Sequence, residues 1–385
     1  MLTMLTWLEE SLSRVEPSPA IIRRAARHLK SDERRRLFSD DIPSMRTAEG
    51  RWFEAIIYEQ ICECARKTDA IGGVVMRGAD APHRIAHARP GQNGLFYAKN
   101  GDLVVRGNGQ DLAEVDLLLV DPEGRLAFGE IITSSGDMKE FEQEISYKKT
   151  LLGYLFGQPN VPFLLVSSVD VSRGKIVRRL NTEPDNALVV TPSCEELKSH
   201  LSPADLRGIR RTPRRREKMI PLSALPPKRP LHYKKLHDTR RDRVIQEISQ
   251  GHSLARMREG DEIPPLVKKI FFGGLYPSAV RWLVQMCPVT IKGVTYDRDM
   301  LQREFSRVVL AMDIPEYSPI LYLRYRKRRE YAKLIPDQNG GFRFQGTRNP
   351  SMKGFFLWLE TVEPSVGAGL ARRILTHLLD LKKKK

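Results

Sequence analysis

The apolar positions change period along this chain, and the changes mark its elements. Over residues 1–70 the period is helical: Trp52, Phe53, Ile56, Ile57 and Ile61 return on one helix face, with Ser31 or Asp32 as an upstream cap. The opening MLTMLTWLEESLSRVE lacks a basic start and is interrupted by carboxylates, so it reads as a first helix and not as a signal peptide. Between 72 and 135, turns separate short apolar runs. VVMRG, LFYAK, DLVVRG, VDLLLV and LAFGEIIT read as strands, the last two joined as a hairpin across Asp121-Pro122-Glu123-Gly124. The helical period returns from Asp137 to Phe156. VPFLLVSS is continuously apolar and suits a strand buried on both faces. ALVVTPS predicts a further strand, and Cys194-Glu195-Glu196-Leu197 opens a short helix. This order predicts an α/β domain on a mixed central sheet flanked by helices, over 45–202, after an N-terminal helical segment, 1–44.

The stretch 203–243 breaks the pattern. Pro203, Pro213, Pro221, Pro226, Pro227 and Pro230 lie among the basic runs RGIRRTPRRREK and KRPLHYKK, which predicts an interdomain linker. From 244 to 385 the runs VKKIFFGGLYPSAVRWLVQM and MLQREFSRVVLAM carry a helical period, and LARRILTHLLDLKKKK closes the chain. Residues 244–385 therefore read as a mainly helical domain. The hairpin-like GFRFQGTRN would make it a winged-helix reader of nucleic acid.

Charge changes this picture from a fold to a partner. Lys and Arg number 64 against 47 Asp and Glu, a formal net charge of +17. That excess points to a polyanion, because lysines and arginines displace the counterions condensed on phosphate backbones. Expected contacts are Arg210, Arg211, Arg214, Arg215, Arg216 and Lys218 in the linker, and Arg324, Arg326, Lys327, Arg328 and Arg329 beyond it. Competing readings are a solvated face, an anionic membrane surface or an acidic protein partner. No apolar run reaches the length of a membrane span. The cysteines, Cys62, Cys64, Cys194 and Cys287, have no zinc-site spacing and fit a reducing compartment, cytoplasmic or nuclear.

The candidate chemistry lies in AEVDLLLVDPEGRLAFGEIIT. Strand alternation puts Glu114 and Asp116 on one face, and the hairpin returns Glu130 beside Asp116. Carboxylates on neighbouring strands suit a hard divalent cation, which polarises phosphate and acidifies bound water. Ser134-Ser135-Gly136 has no partnered His nearby, and His83 and His87, four apart, lack the Glu of a zinc-protease motif.

An acid before an apolar strand, a turn, and a strand ending in Glu resemble the PD-(D/E)XK nuclease superfamily over roughly 45–200. The nearer likenesses are its Holliday-junction-resolvase and RecB-like branches. The resemblance implies a restriction-endonuclease-like fold and Mg²⁺- or Mn²⁺-dependent endonuclease activity. DNA, structured or branched, is favoured over RNA, and a homodimer is a further expectation. It makes Asp116 and Glu130 metal ligands, with Glu54 completing the site, and matches Gln143 and Tyr147 to the Gln-x-x-x-Tyr pattern of the RecB-like branch. The family's Lys, two residues after the Glu, is replaced here by Ile132. Some members supply it from the next helix, where Lys139 is the candidate. A chain that kept the fold and lost the Lys would be a non-catalytic nucleic-acid-binding scaffold.

Overall fold

Helix-forming stripes, capped in turn, open the fold. The structure, a computed structural model, describes residues 4–14, 16–89, 91–107, 109–134, 136, 141–252, 269–274, 289–291, 293–313, 318–328, 331–336 and 342–346. The chain divides into a first unit, Met1–Ala88, Gly94–Arg106 and Asp111–Leu231, and a second comprising the remainder. In the first, α1 (Met4–Arg14), α2 (Pro19–Ala25) and α3 (Ser31–Arg36) lead to the long α4 (Ile42–Ala65). The cap of α4 is Asp41, whose carboxylate accepts from the Ser44 N–H at 3.3 Å. Ser31 and Asp32, expected in that role, instead open α3. One core joins Leu8, Leu12 and Ile22 to Trp52, Phe53 and Ile57 of α4, and these to Leu119, Ile131 and Val166 of the sheet. Because α4 is covered on both sides, even Glu59 and Gln60 are buried.

The central sheet contains β1 (Gly73–Val75), β5 (Leu117–Val120), β6 (Leu126–Ile132), β7 (Phe163–Ser167), β8 (Asn186–Val190) and β9 (Met219–Ile220). Its order is β8-β7-β6-β5-β1-β9. Strands β6, β7 and β8 run parallel, while β5 is antiparallel to both β6 and β1. Strand β7 is buried throughout, as its unbroken apolar run predicts. Helix α5 (Phe141–Phe156) connects β6 to β7, α6 (Lys175–Thr182) connects β7 to β8, and α7 (Cys194–Ser199) follows β8. Strands β2 (Gly94–Tyr97), β3 (Leu103–Gly107) and β4 (Gln110–Val115) form a second sheet. The architecture is mixed α/β, and among the described residues no helix is long and apolar enough to cross a membrane.

The expected linker does not exist as such. Residues 203–231 belong to the first unit, and β9 pairs in parallel with β1, Val74 opposite Met219. From Tyr233 the chain is α8 (Tyr233–Ser249) of the second unit. Pro203 opens one short 3₁₀ turn and Pro221 caps another, and the like charge that should resist collapse is matched in part by carboxylates folded against it.

The second unit also corrects its reading as mainly helical. Its described residues carry a seven-stranded sheet, β10-β13-β14-β15-β16-β11-β12. Strand β13 (Phe305–Asp313) pairs antiparallel with β10 (Lys269–Gly274) and β14 (Ser318–Tyr325). Strand β15 (Tyr331–Pro336) pairs with β14 and β16 (Phe342–Gly346), and the short β11 (Val289–Ile291) and β12 (Val294–Tyr296) complete the sheet. The runs FSRVVLAM and ILYLRY are buried almost without a break, and period cannot separate such a strand from a buried helix. Their β-branched and aromatic residues favour the strand. The closing LARRILTHLLDLKKKK lies outside the described residues.

One turn beside the site admits only glycine. Gly101 has φ of +96°, and a Cβ there would sit 2.1 Å from the Gly78 carbonyl oxygen. Gly101→Ala is expected to cost at least about 1–3 kcal/mol, read as a lowered Tm. A Tm within a degree of wild type would show that the turn relaxes.

Candidate active site

The β5–β6 hairpin sets the geometry. Its turn is closed by the Gly124 N–H donating to the Asp121 carbonyl at 3.0 Å and by Asp121 Oδ1 accepting from the Arg125 N–H at 2.8 Å. Gly124 takes φ of +77° there. The turn fixes a register of Leu117 opposite Gly129, which, continued by one residue, places Asp116 opposite Glu130. Asp116 Oδ2 accepts the Ile131 N–H at 2.8 Å, so the backbone of β6 orients that carboxylate. Glu130 is buried, and burial together with the charge of Asp116 pushes it well above the ordinary carboxylate range. Its Oε1 is buried with no hydrogen-bond partner.

The other Glu130 oxygen, Oε2, lies 2.7 Å from Lys148 Nζ, and Lys148 also meets Glu144 Oε1 at 2.8 Å. Burial alone would depress this lysine, but Glu130 and Glu144 outweigh it and raise it. Lys148 reaches the site because α5 turns Phe141, Ile145, Leu152 and Leu155 to the core, and Lys148 falls on that same face. Sequence reasoning missed it. The detectable signal was a single lysine in an otherwise apolar stripe. Of the residues expected on this helix, Gln143 is exposed, and Tyr147 is half-buried, its phenol pushed up to about 12 by burial. Lys139 lies outside the described residues.

Glu54 joins from α4. Burial and the charge of Asp116 push it up to about 7, against the pull of Arg77 and Arg51. Arg77 Nη2 lies 2.6 Å from Glu54 Oε2, and Arg77 Nη1 is buried without a partner. Asp102 continues the network, 2.6 Å from Arg51 Nη1 and 3.8 Å from Arg77 Nη2. Arg51, Glu54, Tyr58, Arg77 and Asp102 surround a cavity of about 30 Å³, room for about one water. Glu54, Asp116 and Glu130 thus lie in one field. As a set they do not offer three ligand atoms within 4.8 Å of one another, as His28, Glu59 and Asp80 do.

That tighter group is not a metal centre. Ala79 N–H donates to His28 Nδ1 at 3.0 Å, so Nδ1 carries no hydrogen and Nε2–H donates to Glu59 Oε1 at 2.9 Å. No ring lone pair is left for a cation. Arg27 fills the space between the acids, 2.7 Å from Glu59 Oε1 and 2.6 Å from Asp80 Oδ1. The group is a buried ion-pair lock.

The basic run contributes to this lock as well as to the surface. Arg216 Nη1 lies 2.9 Å from Glu59 Oε2, the Arg214 N–H donates to Asp80 Oδ1 at 2.7 Å, and Arg211 Nη2 donates to the Asn100 carbonyl at 2.6 Å. Lys218 Nζ bonds the Thr68 carbonyl. Arg211, Arg216 and Lys218, expected to grip nucleic acid, are half-buried and tied to the fold by these contacts, while the side chains of Arg210, Arg214 and Arg215 are exposed. In the second unit Arg324 is half-buried, Arg326 Nη2 donates to the Gln302 carbonyl at 2.9 Å, and Arg328 lies 5.1 Å from the centre of the Tyr325 ring. Lys327 and Arg328 are exposed, and Arg329 lies outside the described residues. His83 and His87 are exposed loop residues. Comparison with family models, with curated proteins and with solved structures found no match.

Proposed function

We propose that the first unit is a PD-(D/E)XK-like, restriction-endonuclease-like domain that hydrolyses phosphodiester bonds, with DNA the favoured substrate. The observation that carries this reading is Glu130: opposite Asp116, with one buried oxygen unpartnered and the other on a buried lysine. A buried carboxylate oxygen without a partner is costly unless something else coordinates it. The donors present are all carboxylate oxygens, which fits Mg²⁺ or Mn²⁺. Asp116 and Glu130, assisted by Glu54, would hold the cation, which when bound supplies Lewis acidity toward phosphate and an acidified water. Lys148 spends two N–H groups on Glu130 and Glu144, leaving a third to orient the attacking water and to offset charge growing on the phosphate. Arg77 offers its unpartnered Nη1 as a second cationic donor.

Supercoiled plasmid incubated with Mg²⁺ or Mn²⁺ tests the reading. Wild type is expected to nick it, and Asp116→Asn and Glu130→Gln to lose about 10²-fold or more while still binding. A specific observation favours a second reading: Arg77 and Lys148 already neutralise Glu54 and Glu130, as in a site closed by its own counter-ions. A wild type that binds nucleic acid but cleaves neither DNA nor RNA establishes that scaffold reading instead.

Glu54 gives a pH signature without turnover. A carboxyl whose folded pKa, about 7, exceeds its ordinary 4.5 binds its proton more tightly when folded. Its contribution to stability is full below 4.5 and is lost as pH rises through about 7. The Tm of Glu54→Gln is therefore expected to gain on that of metal-free wild type between pH 5 and 8, and Mg²⁺ to raise the wild-type Tm more at pH 8 than at pH 5. Parallel Tm curves for the two proteins would rule this out.

A further inference from the structure

We propose that a basic groove between α3 and residues 203–210 holds single-stranded nucleic acid beside the carboxylate site. The groove encloses about 600 Å³, large enough for a nucleotide. Arg34, Arg35, Arg207 and Arg210 rim it, and Phe38, Leu206 and Ile209 form its floor. Arg34 is fixed by donating to the Leu29 carbonyl at 2.8 Å. Arg35, Arg207 and Arg210 are exposed and make no ion pair among the described residues. Nearby acids are committed elsewhere: Asp32 to Arg36 at 3.6 Å, Glu33 to the Lys30 N–H at 2.6 Å, and Asp205 to Arg23 at 3.2 Å. Among the described residues, no carboxylate lines the groove against an incoming phosphate.

The floor decides between strand and duplex. Phe38, Leu206 and Ile209 rest on the core and leave apolar surface in the groove. An unpaired base has a free face to lay on such a floor while arginines take the flanking phosphates. A duplex keeps its bases stacked on each other. A chain of contacts links the groove to the carboxylate network. Arg210 is followed by Arg211, which holds the Asn100 carbonyl, and Asn100 bonds Asp102 of the Arg51–Arg77–Glu54 network. What the strand undergoes there rests on the nuclease reading; that it binds does not.

Anisotropy of a labelled oligothymidylate of about 20 nucleotides, measured in EDTA, tests binding apart from cleavage. The triple variant Arg35→Ala, Arg207→Ala, Arg210→Ala is expected to bind about ten-fold more weakly, with a salt dependence shallower by about two in log–log slope, at roughly 0.7 per phosphate for single strands. The matching triple Lys variant is expected to keep most of the affinity, and a duplex to lose less than the single strand. Unchanged oligothymidylate affinity overturns the proposal, as does an equal loss for polyphosphate, which has no bases. Strand binding without plasmid nicking would sink the nuclease reading and leave the groove standing.

Discussion

Lys148→Ala is expected to reduce cleavage by about 10²–10⁴-fold while nucleic-acid binding stays close to wild type. On the proposed nuclease reading, Ile132 stands where the PD-(D/E)XK pattern has its lysine and cannot orient a water, and Lys148 is the cation the fold sets on Glu130, 2.7 Å away. A positioning lysine and a merely structural one separate by pH profile. Lys148 opposes the upward push that burial and Asp116 exert on Glu130, so its removal raises that carboxyl further. The acid limb of any residual activity should then move to higher pH, because Glu130 must be ionised to work. Ile132 lies two residues beyond Glu130 on β6 and therefore on the same face, so Ile132→Lys in the Lys148→Ala background is expected to restore part of the activity. An acid limb that stays in place, with no rescue, would reduce Lys148 to packing.

Local patterns carried the site further than they carried the fold. The pairing of Asp116 with Glu130 was legible because a tight turn fixes register, and register decides which side chains meet. Lys148 was not, although the spacing Phe141, Ile145, Lys148, Leu152, Leu155 contains it. A wheel drawn from Lys139 leads to Gln143 and Tyr147, on a different face. The arginines of 207–216 were legible as charge but not as structure. Nothing within that run reveals that Arg216 meets Glu59 and that the backbone of Arg214 meets Asp80, acids more than a hundred residues upstream. The second unit failed for a plainer reason: its long strands β13 and β14 are buried almost throughout, so they lack the alternation that marks a half-exposed strand. Helix α6 was missed because its few apolar residues lie among lysines and arginines.

The largest stability effect is expected at Glu59, whose side chain is wholly buried. Arg24 Nε lies 2.6 Å and Arg27 Nη2 2.7 Å from it, with His28 Nε2 and Arg216 Nη1 each at 2.9 Å. Glu59→Ala leaves these guanidinium groups facing one another around a void, with Asp80 and, on Arg24, Glu63 as the remaining acids, and is expected to cost about 3–5 kcal/mol. Glu59→Gln keeps the shape and one acceptor and should cost less. The pH dependence has a definite sign. Burial alone would raise Glu59, but the His28 hydrogen bond and the charges of Arg216 and Arg27 outweigh it and hold the carboxyl below its usual range. Its contribution is therefore present above about 4.5, the ordinary value, and is lost as pH falls through the lowered one. His28 acts in the same direction, because burial lowers its pKa and the unfolded chain takes up that proton first as pH drops below 6.5. The contributions of Glu59 and His28 should fall on acidification from below about pH 6.5, opposite in sign to that of Glu54, and Glu59→Gln should show a flatter acid limb than wild type. Chemical denaturation from pH 7.5 down to about pH 3 measures both effects. With Arg27 between the acids and both His28 nitrogens engaged, EDTA should leave the difference between Glu59→Gln and wild type unchanged. A Glu59→Ala protein within about 1 kcal/mol of wild type would show that the arginines find water or other acids at little cost, and that the lock does not hold the helices to the sheet.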